Sequence, residues 1–116
     1  MREVALVTGA SSGIGLEIAK ILASQNYDLV ICARREKELQ DLAEKISRQH
    51  TVNCKVIVAD LTTDEGVDLL IKDSGQVDIL VNNAGFGILG NHLDMQLGRQ
   101  LEMIELNIHA LTRLSH

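Results

Sequence analysis

Apolar positions along the chain alternate between two periods. Four short runs have strand length: VALV (Val4 to Val7), LVICA (Leu29 to Ala33), KVIVA (Lys55 to Ala59) and VDILV (Val77 to Val81). They are mostly rich in β-branched residues, and three of the four are nearly continuous in apolar character, as expected of strands covered on both faces. Between them the spacing changes to about 3.6 residues, the helical period. Ile14, Ile18, Ile21 and Leu22 would share one helix face, Leu39, Leu42 and Ile46 a second, and Val67, Leu70 and Ile71 a third. A last stripe, Leu101, Ile104, Ile108, Leu111 and Leu114, predicts a helix after the fourth run. The order is β-α-β-α-β-α-β-α. Right-handed crossovers and two-sided burial make this an α/β fold, a doubly wound parallel sheet expected in the strand order 3-2-1-4. No proline, repeat or low-complexity stretch interrupts it, so residues 1–116 read as one domain.

Composition narrows the classes of partner. The chain is 46% hydrophobic, yet Tyr27 and Phe86 are its only aromatic residues, so the core must be aliphatic and no base-stacking surface is available. A formal net charge of −5 argues against a nucleic acid or an anionic membrane as partner. No apolar run approaches the roughly 20 residues that span a bilayer. The start, MREVALVTGA, enters the first strand without the apolar region of a signal peptide. Cys32 and Cys54 sit in separate apolar runs and read as buried, reduced thiols, which places the protein in the cytoplasm. His50, His92, His109 and His116 share no metal-ligand spacing and read as surface residues, so no metal site is expected.

The chemistry concentrates at the ends of the strands. VTGASSGIG (Val7 to Gly15) brings Gly9, Gly13 and Gly15 together between the first strand and the first helix. Glycines allow a tight turn and close approach of a ligand to the backbone, and the N–H groups of the following helix suit a pyrophosphate. Ser11 and Ser12 can add hydroxyl donors or cap that helix. The same residues, GASSG, also match the G-x-S-x-G turn that presents a nucleophilic serine in α/β-hydrolases. Such a turn normally follows several strands, one of whose loops completes an oxyanion hole. Only eight residues precede Gly9. The phosphate loop is the better reading.

Three further stretches lie at strand ends: CARRE (Cys32 to Glu36), ADLT (Ala59 to Thr62) and NNAG (Asn82 to Gly85). In an open α/β sheet this is the edge where ligands bind. Together with TGASSGIG, and over essentially the whole chain, the sequence resembles the N-terminal, cofactor-binding portion of the short-chain dehydrogenase/reductase family. The resemblance implies a Rossmann-like, NAD(P)-binding domain, present here through about its fourth strand. It implies that Gly9, Ser11, Ser12, Gly13, Ile14 and Gly15 line the pyrophosphate. Asp60, with the backbone of Leu61, would meet the adenine amino group, unless it is only a turn or capping residue. Asn82, Asn83, Ala84 and Gly85 would border the adenosine ribose and tie the fourth strand to the sheet. Asn107, in LNIHAL, matches the helix asparagine that helps hold the family's catalytic lysine through water.

Cofactor choice follows from charge. An NAD enzyme carries a carboxylate at the end of the second strand for the ribose 2′-OH. Here Ala33, Arg34 and Arg35 stand at that place. An Arg fork can bind a 2′-phosphate that a carboxylate would repel, so NADP(H) is expected over NAD(H). Many NADP-preferring members also carry a basic residue just before the second glycine, where this chain has Ser12, so the preference is read from Arg34.

The family's proton donor is a Tyr with a Lys four residues on, assisted by a Ser. The one tyrosine here is Tyr27, expected to pack before the second strand, and Ile31 stands four residues later. The chain therefore reads as the cofactor half of a carbonyl-reducing or alcohol-oxidising enzyme, without turnover alone. The alternative is a dinucleotide-binding remnant or regulatory protein. FGILGNHL (Phe86 to Leu93) would form one rim of a substrate cleft. With four strands, Val77 to Val81 would be an exposed apolar edge, which predicts a homo-oligomer with the last helix at its interface.

Overall fold

In a computed structural model, which describes residues 2–11, 13–83 and, as backbone, 104–107, five parallel strands form one sheet. The elements are β1 (Val4–Thr8), α1 (Gly13–Ser24), β2 (Asp28–Ala33), α2 (Glu36–Gln49), β3 (Cys54–Val58), α3 (Asp64–Ser74), β4 (Ile79–Asn82) and β5 (Ile104–Asn107). The sheet order is β3-β2-β1-β4-β5, so the first four strands take the expected order. Ala5 is level with Leu29 on one side and Ile79 on the other, and Leu29 with Cys54.

Alternation along these strands divides the core in two. Ala5, Val7, Leu29, Ile31, Ile79 and Val81 point to one face and pack with Ala19 and Ala23 of α1 and Leu39, Leu42 and Ile46 of α2. Leu6, Val30, Cys32, Ile57 and Leu80 point to the other and pack with Val67 and Leu70 of α3. Helices on both faces explain why the strand sequences are apolar at successive positions rather than alternating. Each fully buried Leu, Ile or Val stabilises the fold by about 1.5–3 kcal/mol relative to exposure. Tyr27 packs against the first cluster, as expected.

Two expectations are corrected. The buried line of α1 is Gly15, Ala19 and Ala23, whereas Ile21, expected on the inner face, is 54% exposed. Small residues let α1 lie close to the sheet, with Leu16, Ile18 and Leu22 packing as its flanks. The final stripe also contains a strand where a helix was expected. Ile104–Asn107 pairs in parallel with β4, and Asn107 stands level with Asn82. The sequence IELN alternates apolar and polar residues, so it suits period two as well as the longer helical stripe. Pairing gives β4's second row of N–H and C=O groups the partners it would otherwise lack. β4 is therefore interior, and the open apolar edge expected at that strand is corrected: β5 covers it.

Candidate functional site

The carboxyl ends of β1, β2 and β3 converge on a cleft of about 550 Å³. That size lies within the range of ordinary ligand sites, roughly 300–1,000 Å³. Its walls come from three loops: Gly9 and Ser11 after β1, Cys32 to Arg35 at the end of β2, and Ala59 to Thr62 after β3. The loops are laced by backbone bonds. The Ala10 N–H donates to Cys32 O at 3.2 Å, and the Ala59 N–H to Ala33 O at 3.1 Å.

The glycine loop owes its shape to two different properties. Gly9 and Gly13 have φ of 64° and 53°, left-handed values that side chains disfavour. Gly15 is required by space. A Cβ there would lie 2.3 Å from Gly9 O and 2.6 Å from Asn83 Nδ2. Asn83 holds the same carbonyl, its Nδ2 donating to Gly9 O at 3.1 Å, while its N–H donates to Thr8 Oγ1 at 3.0 Å. The Thr8 hydroxyl is also within donating distance of Asn82 Oδ1, at 3.3 Å, and of Val81 O, at 3.4 Å. Asn82 and Asn83 thus tie β4 to β1 and fix the loop. Thr8, which the sequence reading passed over, is the buried joint between them.

Beyond the loop, α1 opens with Gly13, Ile14 and Gly15, whose N–H groups have no intrahelical acceptor. It carries no acidic residue in its first turn, whereas α2 has Glu36 and Glu38 and α3 has Asp64 and Glu65. The last two helices complement their own positive ends; α1 leaves its own to the cleft side of the loop. Arg34 and Arg35 are exposed at the end of β2, and Arg35 occupies the N-cap of α2 without a side-chain cap bond. Arg34 makes no salt bridge among the described residues.

On the opposite wall, Asp60 builds a turn. Its Oδ1 accepts from the Thr62 N–H at 2.9 Å and from Thr62 Oγ1 at 2.6 Å. These bonds, the hydroxyl first, hold the carboxyl below its ordinary value, and the Arg34 charge acts in the same direction. Cys32 beneath the cleft and Cys54 on β3 are free thiols. Burial pushes the first up to about 12 and the second to about 11, so neither is a nucleophile at neutral pH.

Of the residues expected in a cofactor site, the cleft brings together Gly9, Ser11, Arg34, Asp60 and Leu61. Gly13, Ile14 and Gly15 form the adjoining helix start, Asn82 and Asn83 lie behind the loop, and Asn107 ends β5. Ser12, Ala84, Gly85, His92, His109, His116 and the stretch Phe86 to Leu93 lie outside the described residues. Among the described residues no three His, Cys, Asp or Glu side chains are grouped to hold a metal ion. No described helix is long and apolar enough to cross a membrane.

Residues 3–116 match the family model of the short chain dehydrogenases. The chain belongs to this family. An oxidoreductase of Staphylococcus epidermidis is 36% identical over 110 residues, covering 91% of this chain and 46% of that protein. Among solved structures, the L-sorbose reductase of Gluconobacter frateurii, complexed with NADPH and L-sorbose, superimposes with a TM-score of 0.78 at 30% identity, over 83% of this chain and 46% of that one. The alcohol dehydrogenase of the archaeon Thermococcus sibiricus, complexed with 5-hydroxy-NADP, gives 0.68 at 33% identity, over 70% and 36%. The chain thus spans about half the length of the relatives it matches. Membership in the short chain dehydrogenases removes the hydrolase reading of Gly9 to Gly13, and the parallel sheet with helices on both faces is their Rossmann-like architecture.

Proposed function

We propose that this chain binds NADP(H) in preference to NAD(H), as the cofactor-binding half of a short-chain oxidoreductase that reduces a carbonyl or oxidises an alcohol by hydride transfer. The observation that carries the reading is the rim of the cleft. β2 is followed by exposed Arg34 and Arg35 instead of a carboxylate, and Arg34 is left without a salt-bridge partner among the described residues. A 2′-phosphate would complete it. The pyrophosphate fits the loop between β1 and α1, where left-handed Gly9 and Gly13 carry no side chain and a helix start without an acidic residue offers N–H groups. The adenine edge fits Asp60 and Leu61, an ionised acceptor beside a backbone donor, both on the cleft wall. Asn82 to Gly85 would border the ribose. When bound, the cofactor supplies or takes up the hydride; the chain orients it. The NADPH and 5-hydroxy-NADP complexes of the two solved relatives support the same choice.

A charge-assisted bond of the Arg34 kind is worth about 1.5–3 kcal/mol, or about tenfold to a hundredfold in affinity. Arg34→Gln should weaken NADPH binding by that factor and change NADH binding by less than about twofold. Equal losses for both cofactors would overturn the assignment. A second reading, binding without turnover, is favoured by Tyr27, which packs against the core and has Ile31 four residues on. Among the described residues none is then placed as a Tyr with a Lys four residues on to exchange a proton with a substrate oxygen. The 116-residue chain should not oxidise NADPH with any carbonyl substrate, and detectable oxidation would contradict that.

A further inference from the structure

The turn that follows β3 is held more tightly than a surface turn requires, and its bonds are distributed unevenly over one carboxylate. Asp60 Oδ1 receives both the N–H and the hydroxyl of Thr62, at 2.9 and 2.6 Å. Oδ2 has no hydrogen bond among the described residues, and neither has the adjacent Leu61 N–H. The main chain of Asp60 is pinned separately. Its carbonyl accepts from Thr63 N at 3.2 Å and Thr63 Oγ1 at 2.9 Å, and Thr63 Oγ1 in turn accepts from Gly66 N at 3.0 Å. Gly66 sits so close that a Cβ there would lie 1.9 Å from Asp60 O. α3 is thereby drawn up under the turn, and only a glycine permits it.

We propose that Thr62 and Gly66 are positioning residues for base selection: they fix Asp60 so that a single carboxylate oxygen, beside the Leu61 N–H, faces a purine bearing an amino group. This rests on the reading that the cleft holds the adenosine end of the cofactor. Thr62 occupies one oxygen and sets the rotation of the carboxylate, while Thr63 and Gly66 set the height of its backbone. An acceptor next to a donor matches the amino group and ring nitrogen of adenine. It mismatches hypoxanthine, whose oxo group and ring N–H present the reverse order. The ionised carboxylate is acceptor-only at neutral pH, which keeps the selection one-sided. A freely rotating carboxylate would hold an acceptor oxygen beside the Leu61 N–H only part of the time and so discriminate less between bases.

The test is a titration of the chain with NADPH, its hypoxanthine analogue and NADH, repeated for Thr62→Val, Thr62→Ser and Gly66→Ala. The unaltered chain should prefer NADPH over the hypoxanthine analogue by about tenfold or more, the worth of one charged hydrogen bond. Thr62→Val should narrow that ratio to about threefold or less, Thr62→Ser should restore it, and the NADPH-to-NADH ratio should not move in either. Gly66→Ala should narrow the base ratio in the same way if it folds; Thr62 is exposed, so its variants carry the test in any case. A base ratio unchanged in Thr62→Val overturns the inference while leaving the cleft assignment intact. Failure of the unaltered chain to bind any of the three overturns the cleft assignment, and this inference with it.

Discussion

At Asp60 two hydrogen bonds from Thr62 favour the ionised form. Removing the hydroxyl in Thr62→Val should therefore raise the pH at which this carboxyl titrates, toward the ordinary 3.8, as followed by NMR of its side chain. A titration at unchanged pH would show that the bond is not formed in solution. The buried thiols act in the opposite sense. Cys32 and Cys54 ionise in the unfolded chain near 9.0 but in the folded chain only near 12 and 11. Their contribution to stability is whole below pH 9.0 and is lost as pH rises through that window. Cys32→Ala should lower stability at neutral pH through lost packing, yet show a shallower decline between pH 9 and 11 in melting experiments. A parallel decline would remove the thiol as its cause. Arg34 was legible in the sequence because its place at a strand end already states its environment. The roles of Thr8 and Gly66 were not, because each depends on a neighbour brought up by the fold: Asn83 for Thr8, the Asp60 carbonyl for Gly66. Thr62 and Thr63 did leave local signals, an Asx turn after Asp60 and a cap before an acidic first turn.

α2 and α3 show how far periodicity alone carries an element. Leu39, Leu42 and Ile46 of α2, and Val67 and Leu70 of α3, are buried as their spacing predicts. α1 breaks the rule because proximity to the sheet matters more there than side-chain size. Gly15, Ala19 and Ala23 make the contact, and the larger Ile21 turns outward. Ile21→Ala should then change stability by less than about 0.5 kcal/mol, whereas Leu39→Ala should cost about 2–5 kcal/mol in urea unfolding. Comparable losses at the two positions would mean that α1 is rotated from the packing described. Gly15→Ala forces a methyl group against Gly9 O and Asn83 Nδ2, so it should destabilise by about 1–3 kcal/mol and disturb the loop as well. β5 marks the limit of local reading. Its four residues satisfy both a helical stripe and strand alternation, and the choice lies with β4, whose outer edge accepts a strand.

For the whole molecule, the sheet gathers three loops at one edge and places positive charge, free N–H groups and one carboxylate around a single cleft. The layers, the strand order and this edge could be read from the chain, because continuous apolar strands alternating with amphipathic helices admit few arrangements. What the sheet does with β4's outer edge could not, since that is settled by a partner strand distant in sequence. In the proposed function, this edge forms an NADP(H) site within the 116 residues themselves. The most direct measurement is a calorimetric titration of the chain with NADPH and with NADH in the same buffer. Saturable one-to-one binding of NADPH, with NADH weaker by about tenfold to a hundredfold, is the predicted result. Equal affinities, a preference for NADH, or no binding of either would contradict it.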